Sequence, residues 1–249
     1  KDLRRPQDFS LDVAICVKKL SFRTTKKRIY SPNNPTGRVY RVGGLEQLAD
    51  LLSRYGRKLK KPIYLISDEP YRKIVYDNII VPSVFDVYRE SFLVTSFSKD
   101  LSLPGERIGY VAVHPDMSDK KMVIEGMVFS NRILGYVNAP ALMQRAISRL
   151  LGESIEISVY QTKRDMLCSA LASFGYDFVK PEGAFYLFPR TPDKDDVAFV
   201  TALQEENILT VPGSGFGGPG HFRIAYCVSD AVIQGALPGF KKVIENCRK

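Results

Sequence analysis

The stretch VTSFSKDLSLPGERIGYVAV, residues 94–113, sets a lysine, Lys99, between serines at the end of an apolar run and follows it with Arg107. SFLVTSFS and RIGYVAV, on either side of the lysine turn, read as two β-strands. The lysine therefore stands just past the carboxyl end of a strand, which is where ligands bind in open α/β sheets. A primary amine flanked by hydroxyls and a guanidinium fits a lysine held to react with an anionic ligand.

The same texture extends upstream. PIYLIS (62–67) is a short, β-branched apolar run that ends in an acidic pair, as a buried parallel strand does at its carboxyl end. RIYS (28–31) reads as a shorter strand, and SPNNPTG (31–37) as a turn by its Pro, Asn and Gly content. Residues 11–20 read as an amphipathic helix. GGLEQLADLLSRYG (43–56) repeats apolar residues at helical spacing and is expected to stop at Gly56. Strands alternating with helices give an α/β class with a mainly parallel, doubly wound sheet and helices on both faces. Beyond residue 117 the pattern becomes helical at 119–132 and again from Glu153 to about Phe174. A strand at AFYLFPR, a helix at 196–206, strands near ILTVPG and HFRIAYCV, and a final helix capped by Ser229 follow. The expected division is a large domain at 1–150, and an interdomain helix with a small α+β domain at 151–249.

Composition narrows the function classes. The 249 residues are 45% hydrophobic, enough for a sizeable core, and no apolar run approaches the ~18 residues of a membrane span. Four dispersed cysteines (Cys16, Cys168, Cys227, Cys247) and two lone histidines (His114, His221) show no metal-ligand spacing, so no metal is expected. Reduced cysteines point to the cytoplasm. The formal charge of +9 is spread out, densest in RTTKKR (23–28), and no nucleic-acid-binding module accompanies it. A solvated basic surface drawing anionic small molecules is the expectation, with no nucleic acid and no membrane as partners.

Four motifs fall at loop positions after strands: SPNNPTG (31–37), SDEPYRKIVYD (67–77), SFSKDLSLPGERIGY (96–110) and FRIAY (222–226). In this order and spacing they resemble the class I/II aminotransferases of pyridoxal-phosphate fold type I, the aspartate aminotransferase-like group, from about residue 8 to the end. That family has an Asn-Pro-Thr-Gly turn, an Asp-x-x-Tyr, a Ser-x-Ser-Lys with an Arg soon after, and a late Arg. The resemblance implies a transaminase that moves an amino group between an L-amino acid and a 2-oxo acid. Its cofactor is pyridoxal 5'-phosphate, an electron sink to which the protein adds linkage, orientation and electrostatics. By resemblance, Lys99 forms the Schiff base and shuttles the proton between the substrate Cα and the cofactor. Asp68 keeps the pyridine nitrogen protonated, and Asn34 and Tyr71 hydrogen-bond the ring oxygen. Ser96, Ser98 and Arg107 hold the phosphate, and Arg223 clamps the substrate α-carboxylate in a forked contact. Asn34 also belongs to the substrate side.

Other positions have plainer expectations. Glu69 and Arg72 read as structural ion-pair partners, and Tyr136 as a helix-start packing residue or a pocket wall. GSGFGG (213–218) corresponds to a loop near the family's substrate side rather than a phosphate loop. Only 30 residues precede SPNNPTG, so the family's N-terminal section, with its phosphate-receiving helix and its ring stacked on the pyridine, has no counterpart here. The chain also begins at Lys1 rather than Met, which reads as a fragment, a processed product or a trimmed form. A homodimer, or association with a missing N-terminal segment, is expected. The alternatives are a non-catalytic truncated or split aminotransferase and a pyridoxal-phosphate-dependent β-eliminating lyase, which shares the same cofactor residues.

Overall fold

A computed structural model describes residue 21 and residues 24–247; the helix expected at 11–20, and Cys16, lie outside the described residues. Among the described residues four strands form the main sheet in the order β1-β2-β3-β4: Lys26–Tyr30, Tyr64–Asp68, Ser91–Ser96 and Gly109–Val113. The first three are parallel and β4 is antiparallel to β3. The chain is thus an α/β protein with a mainly parallel sheet.

Helix α1 (Val42–Leu59) connects β1 to β2 and buries Leu45, Leu48, Ala49, Leu51 and Leu52, the one-sided stripe that a 3.6-residue period produces. The stripe packs on Ile29, Ile63 and Leu65, with Val84 and Tyr88 closing the cluster. Contrary to expectation, α1 does not stop at Gly56. It runs one turn further, to Leu59, because the stop is made by backbone geometry rather than by the glycine. Lys60 takes the left-handed conformation (φ 52°), and its N–H donates to Arg57 O while Lys61 N–H donates to Gly56 O. That pair of bonds is the Schellman arrangement, built here on a lysine.

Past β3 the chain forms the one-turn helix α2 (Phe97–Asp100) and then a 3₁₀ turn at Pro104–Glu106. Gly109 opens β4 where only a glycine fits, since a Cβ there would lie 2.4 Å from Thr95 O. Helix α3 (Lys120–Ile133) crosses the second face of the sheet, and an open groove of about 970 Å³ separates it from Val94, Val111 and Val113. α3 buries none of its residues. Helix α4 (Ala141–Ser148), to which the sequence pattern gave no bounds, follows.

The rest of the chain packs helices α5 (Ile157–Ser173), α6 (Asp196–Glu205) and α7 (Asp230–Asn246) on a three-stranded antiparallel sheet ordered β5-β7-β6. The strands are Tyr186–Leu187, Phe222–Ala225 and Val211–Pro212. AFYLFPR is therefore strand at two residues only. Helix α5 starts at Ile157, four residues later than Glu153, because Glu156 caps it by accepting from Ser158 N–H. Ser229 caps α7 as expected, its hydroxyl accepting from Val232 N–H. Tyr71, Ile74 and Tyr76, from the loop after β2, are buried in this second core with Leu167, Leu171, Phe222 and Phe240.

The lysine at the left-handed stop of α1 gives a direct test. Lys60→Gly removes a Cβ penalty of about 1 kcal/mol, and we expect a Tm rise of a few degrees by calorimetry. A lower Tm contradicts the left-handed assignment.

Candidate functional site

Parallel pairing puts the carboxyl ends of β1, β2 and β3 on one edge of the sheet, with Tyr30 beside Asp68 and Asp68 beside Val94. Because β4 runs the opposite way, its amino end, Gly109 beside Ser96, reaches the same edge. The Asn34 turn, Asp68, Tyr71, Ser96, Ser98, Lys99 and Arg107 therefore all emerge there. Sheet topology alone gathers residues 73 positions apart, from Asn34 to Arg107.

Tyr71, Asn34 and Arg223 form one connected group. The Tyr71 and Tyr186 hydroxyls lie 2.9 Å apart, and Tyr71 meets the Phe185 ring edge-on at 5.3 Å between centroids. Burial, then the bond to Tyr186, raises the Tyr71 phenol far above its ordinary range, against a smaller opposite pull from Arg223, so this hydroxyl stays protonated. The Arg223 guanidinium is sandwiched, its carbon 4.6 Å from the Tyr186 ring centroid and 4.6 Å from that of Phe216. Its Nη1 donates to Asn34 Oδ1 at 3.1 Å, while its Nε is buried with no partner. A planar cation fixed between two rings with a donor to spare is suited to a forked contact with a carboxylate.

Lys99 sits in α2, its Nζ 5.7 Å from the centroid of the Phe185 ring that Tyr71 also touches. Ser96 precedes α2 in extended conformation and caps nothing with its side chain, and Ser98 is half-buried. Asp68 ends β2, where burial pushes its carboxyl above the usual carboxylate range against the pull of Arg28.

Arg107 stands apart from this group. It takes a left-handed conformation (φ 50°) and its exposed guanidinium donates to Pro104 O at 2.8 Å. With Tyr136, Asn131 and Asn138 it lines a cleft of about 570 Å³. Tyr136, largely exposed, is thus a cleft wall rather than a packed helix start. Glu69 and Arg72 are the expected ion pair, at 2.6 Å, with Glu69 also accepting from Ser67 Oγ. The residues that sequence reasoning missed are the aromatic walls Phe185, Tyr186 and Phe216, together with Glu182. The signal was present in PEGAFY (181–186), an aromatic pair behind a glycine. Its alternation, though, reads equally as an ordinary strand. Among the described residues no group of side chains suits a metal ion, and no helix is long and apolar enough to cross a membrane.

Known proteins match both the sequence and this architecture. The family model for aminotransferase class I and II matches residues 2–239. A probable aspartate/prephenate aminotransferase of Aquifex aeolicus is 32% identical over 98% of this chain and 63% of its own length. Among solved structures, an amino transferase from Eubacterium rectale superposes with a TM-score of 0.96 at 40% identity, over 100% of this chain and 62% of that one. An aspartate aminotransferase from Thermotoga maritima does so with a TM-score of 0.80 at 31% identity, over 95% and 61%. The chain spans less than two thirds of the length of these relatives. With a family match along nearly its whole length and the motif residues gathered on one sheet edge, the chain belongs to the class I and II aminotransferase family.

Proposed function

We propose that this chain carries the pyridoxal-phosphate and substrate-carboxylate residues of a transaminase acting between an L-amino acid and a 2-oxo acid. The observation that supports this best is Arg223, sandwiched between two rings with Nε unpaired and buried. The donor set suits the cofactor: a primary amine on Lys99, a carboxyl on Asp68, a phenol on Tyr71, hydroxyls on Ser96 and Ser98, and the guanidinium of Arg107. When bound, pyridoxal phosphate supplies the electron sink that makes a substrate Cα–H acidic. Lys99 Nζ would be the tether and, once released from it, the base that takes and returns the Cα proton. Asp68 holds a proton on the ring nitrogen. A cation opposite Asp68 also offsets the desolvation that raises its carboxyl. Tyr71, protonated at neutral pH, donates to the ring oxygen together with the Asn34 amide. Ser96, Ser98 and Arg107 bind the phosphate, Arg107 by turning its guanidinium away from Pro104 O. Arg223, steadied by Asn34, binds the α-carboxylate.

In this reading residues 1–150 belong to the cofactor-binding domain and 151–249 to the interdomain helix and small domain. A cytoplasmic setting is supported by the free thiols of Cys168, Cys227 and Cys247. A homodimer is supported by the apolar surface along and after α3, where Phe129, Ile133, Leu134 and Leu142 are exposed.

Three measurements bear on these roles. Borohydride reduction with pyridoxal phosphate, followed by peptide mass analysis, is expected to label Lys99; a label elsewhere with Lys99 unmodified removes the proposal. Asp68→Asn is expected to keep cofactor binding within about tenfold and to lower kcat ~100-fold or more. Arg107→Ala should instead raise the cofactor Kd ~10–100-fold, the loss of a charged hydrogen bond. Equal cofactor loss in both variants, with activity regained at excess cofactor, shows the roles to be misassigned. Finally, a carboxyl whose folded pKa is raised costs stability above that pKa, and the cost vanishes as pH falls below its unfolded value. Cofactor-free Asp68→Asn is therefore expected to melt higher than wild type at pH 7, with the gain disappearing toward pH 3. A gain independent of pH means that Asp68 is not the titrating group.

A further inference from the structure

Glu182 is 9% exposed, and its carboxylate reaches across 143 residues of sequence to hold the turn that carries Asn34. Oε2 accepts from Val39 N–H at 2.9 Å. Oε1 meets Arg38 Nη1 at 3.1 Å and also accepts from Arg41 Nη2. The backbone makes the same connection, since Glu182 N–H and Gly183 N–H both donate to Gly37 O at 2.9 Å. The approach is close enough to require glycine: a Cβ on Gly37, which already has φ 67°, would lie 2.5 Å from Pro181 Cβ. Within the turn, Gly37 N–H donates to Asn33 O and Asn33 N–H to Arg38 O, so a grip on residues 37–41 is transmitted to Asn34. On its other side Glu182 O accepts from Tyr76 N–H, which ties the loop bearing Tyr71 to the same strap.

We propose that Glu182 is the positioning residue of the site: its carboxylate sets where Asn34 stands and, through the Asn34–Arg223 contact, how the Arg223 guanidinium is presented. This rests on the transaminase reading given above. The chemistry needs a carboxylate. An amide in its place can accept at only one oxygen, so its NH₂ faces either Val39 N–H or the guanidinium groups, donor against donor. Arg38, whose Nε is buried without a partner, then also loses its counter-charge. The carboxylate's partners are Val39, Arg38 and Arg41, all in the segment that follows Asn34, so its effect on Arg223 travels through Asn34.

A double-mutant cycle isolates that route. Wild type, Glu182→Gln, Asn34→Ala and the double variant are compared in two measurements. The first uses no ligand: the NMR resonance of the Arg223 Nε–H, assigned by its loss in Arg223→Lys. It is expected to shift in Glu182→Gln and to be the same in Asn34→Ala as in the double variant. The second is the dissociation constant for pyridoxal 5'-phosphate, expected to rise about tenfold on Glu182→Gln when Asn34 is present and less than twofold when it is Ala. Arg41→Ala, at an exposed side chain, loosens the grip from the other end and is expected to move both readouts the same way by less, which guards against a Glu182 variant that fails to fold. Additive effects in either cycle, or an Arg223 signal unmoved by Glu182→Gln, overturn the proposal. If wild type binds no pyridoxal phosphate, the transaminase reading falls, and the ligand-free cycle alone then decides the role of Glu182.

Discussion

Everything at the site depends on three strands lying parallel and in step. Parallel pairing cannot be closed by a hairpin, so each strand must be followed by a crossover, and each crossover leaves from the same edge. Tyr30, Asp68 and Val94 are neighbours along that edge, which brings a turn, a carboxyl and a lysine-bearing helix together with no contact between their side chains being required. The antiparallel strand β4 then returns Arg107 to the same edge. Side-chain interactions refine this arrangement without creating it.

The second set of ties runs between the first-half loops and the second core. Arg164 is fully buried, with Nη1 and Nη2 donating to the two oxygens of Asp77 at 2.7 and 3.0 Å, and its guanidinium carbon is 4.6 Å from the Tyr76 ring centroid. It also donates to Pro181 O, one residue before Glu182. A buried charge of this kind contributes little net stability compared with apolar packing, but removing one partner is costly. Its weight is in specificity of placement: Arg164 and Glu182 hold neighbouring parts of the same strap, and the Tyr71 and Asn34 segments cannot move independently of it.

How much of this was legible in the sequence follows from what each signal depends on. The α/β class, the strands around Lys99 and the order of motifs are local patterns, and they matched because apolar period and turn residues act locally. The family assignment needed only the four motifs. The end of α1 was misjudged because a glycine was taken as the stop, whereas Lys60 adopts the left-handed geometry itself. Helix α4 could not be delimited because, of its eight residues, only Ile147 is buried, so it has almost no stripe to detect. The clamp by Glu182 and the rings around Arg223 were beyond reach for another reason: they join residues 141 to 144 apart or face across strands, and no one-dimensional pattern encodes such pairs.

The paired hydroxyls of Tyr71 and Tyr186 carry two hydrogens for one oxygen–oxygen contact, and either oxygen can be the donor. One hydrogen lies between the rings, and the other is left to point outward. Which ring presents it is decided by a rotation of two O–H bonds, without movement of a heavy atom or change of net charge. An acceptor arriving beside either ring is therefore met by a donor once the two O–H bonds have rotated to aim the free hydrogen at it. When that acceptor is replaced by one on the other side, the pair reverses its polarity rather than breaking.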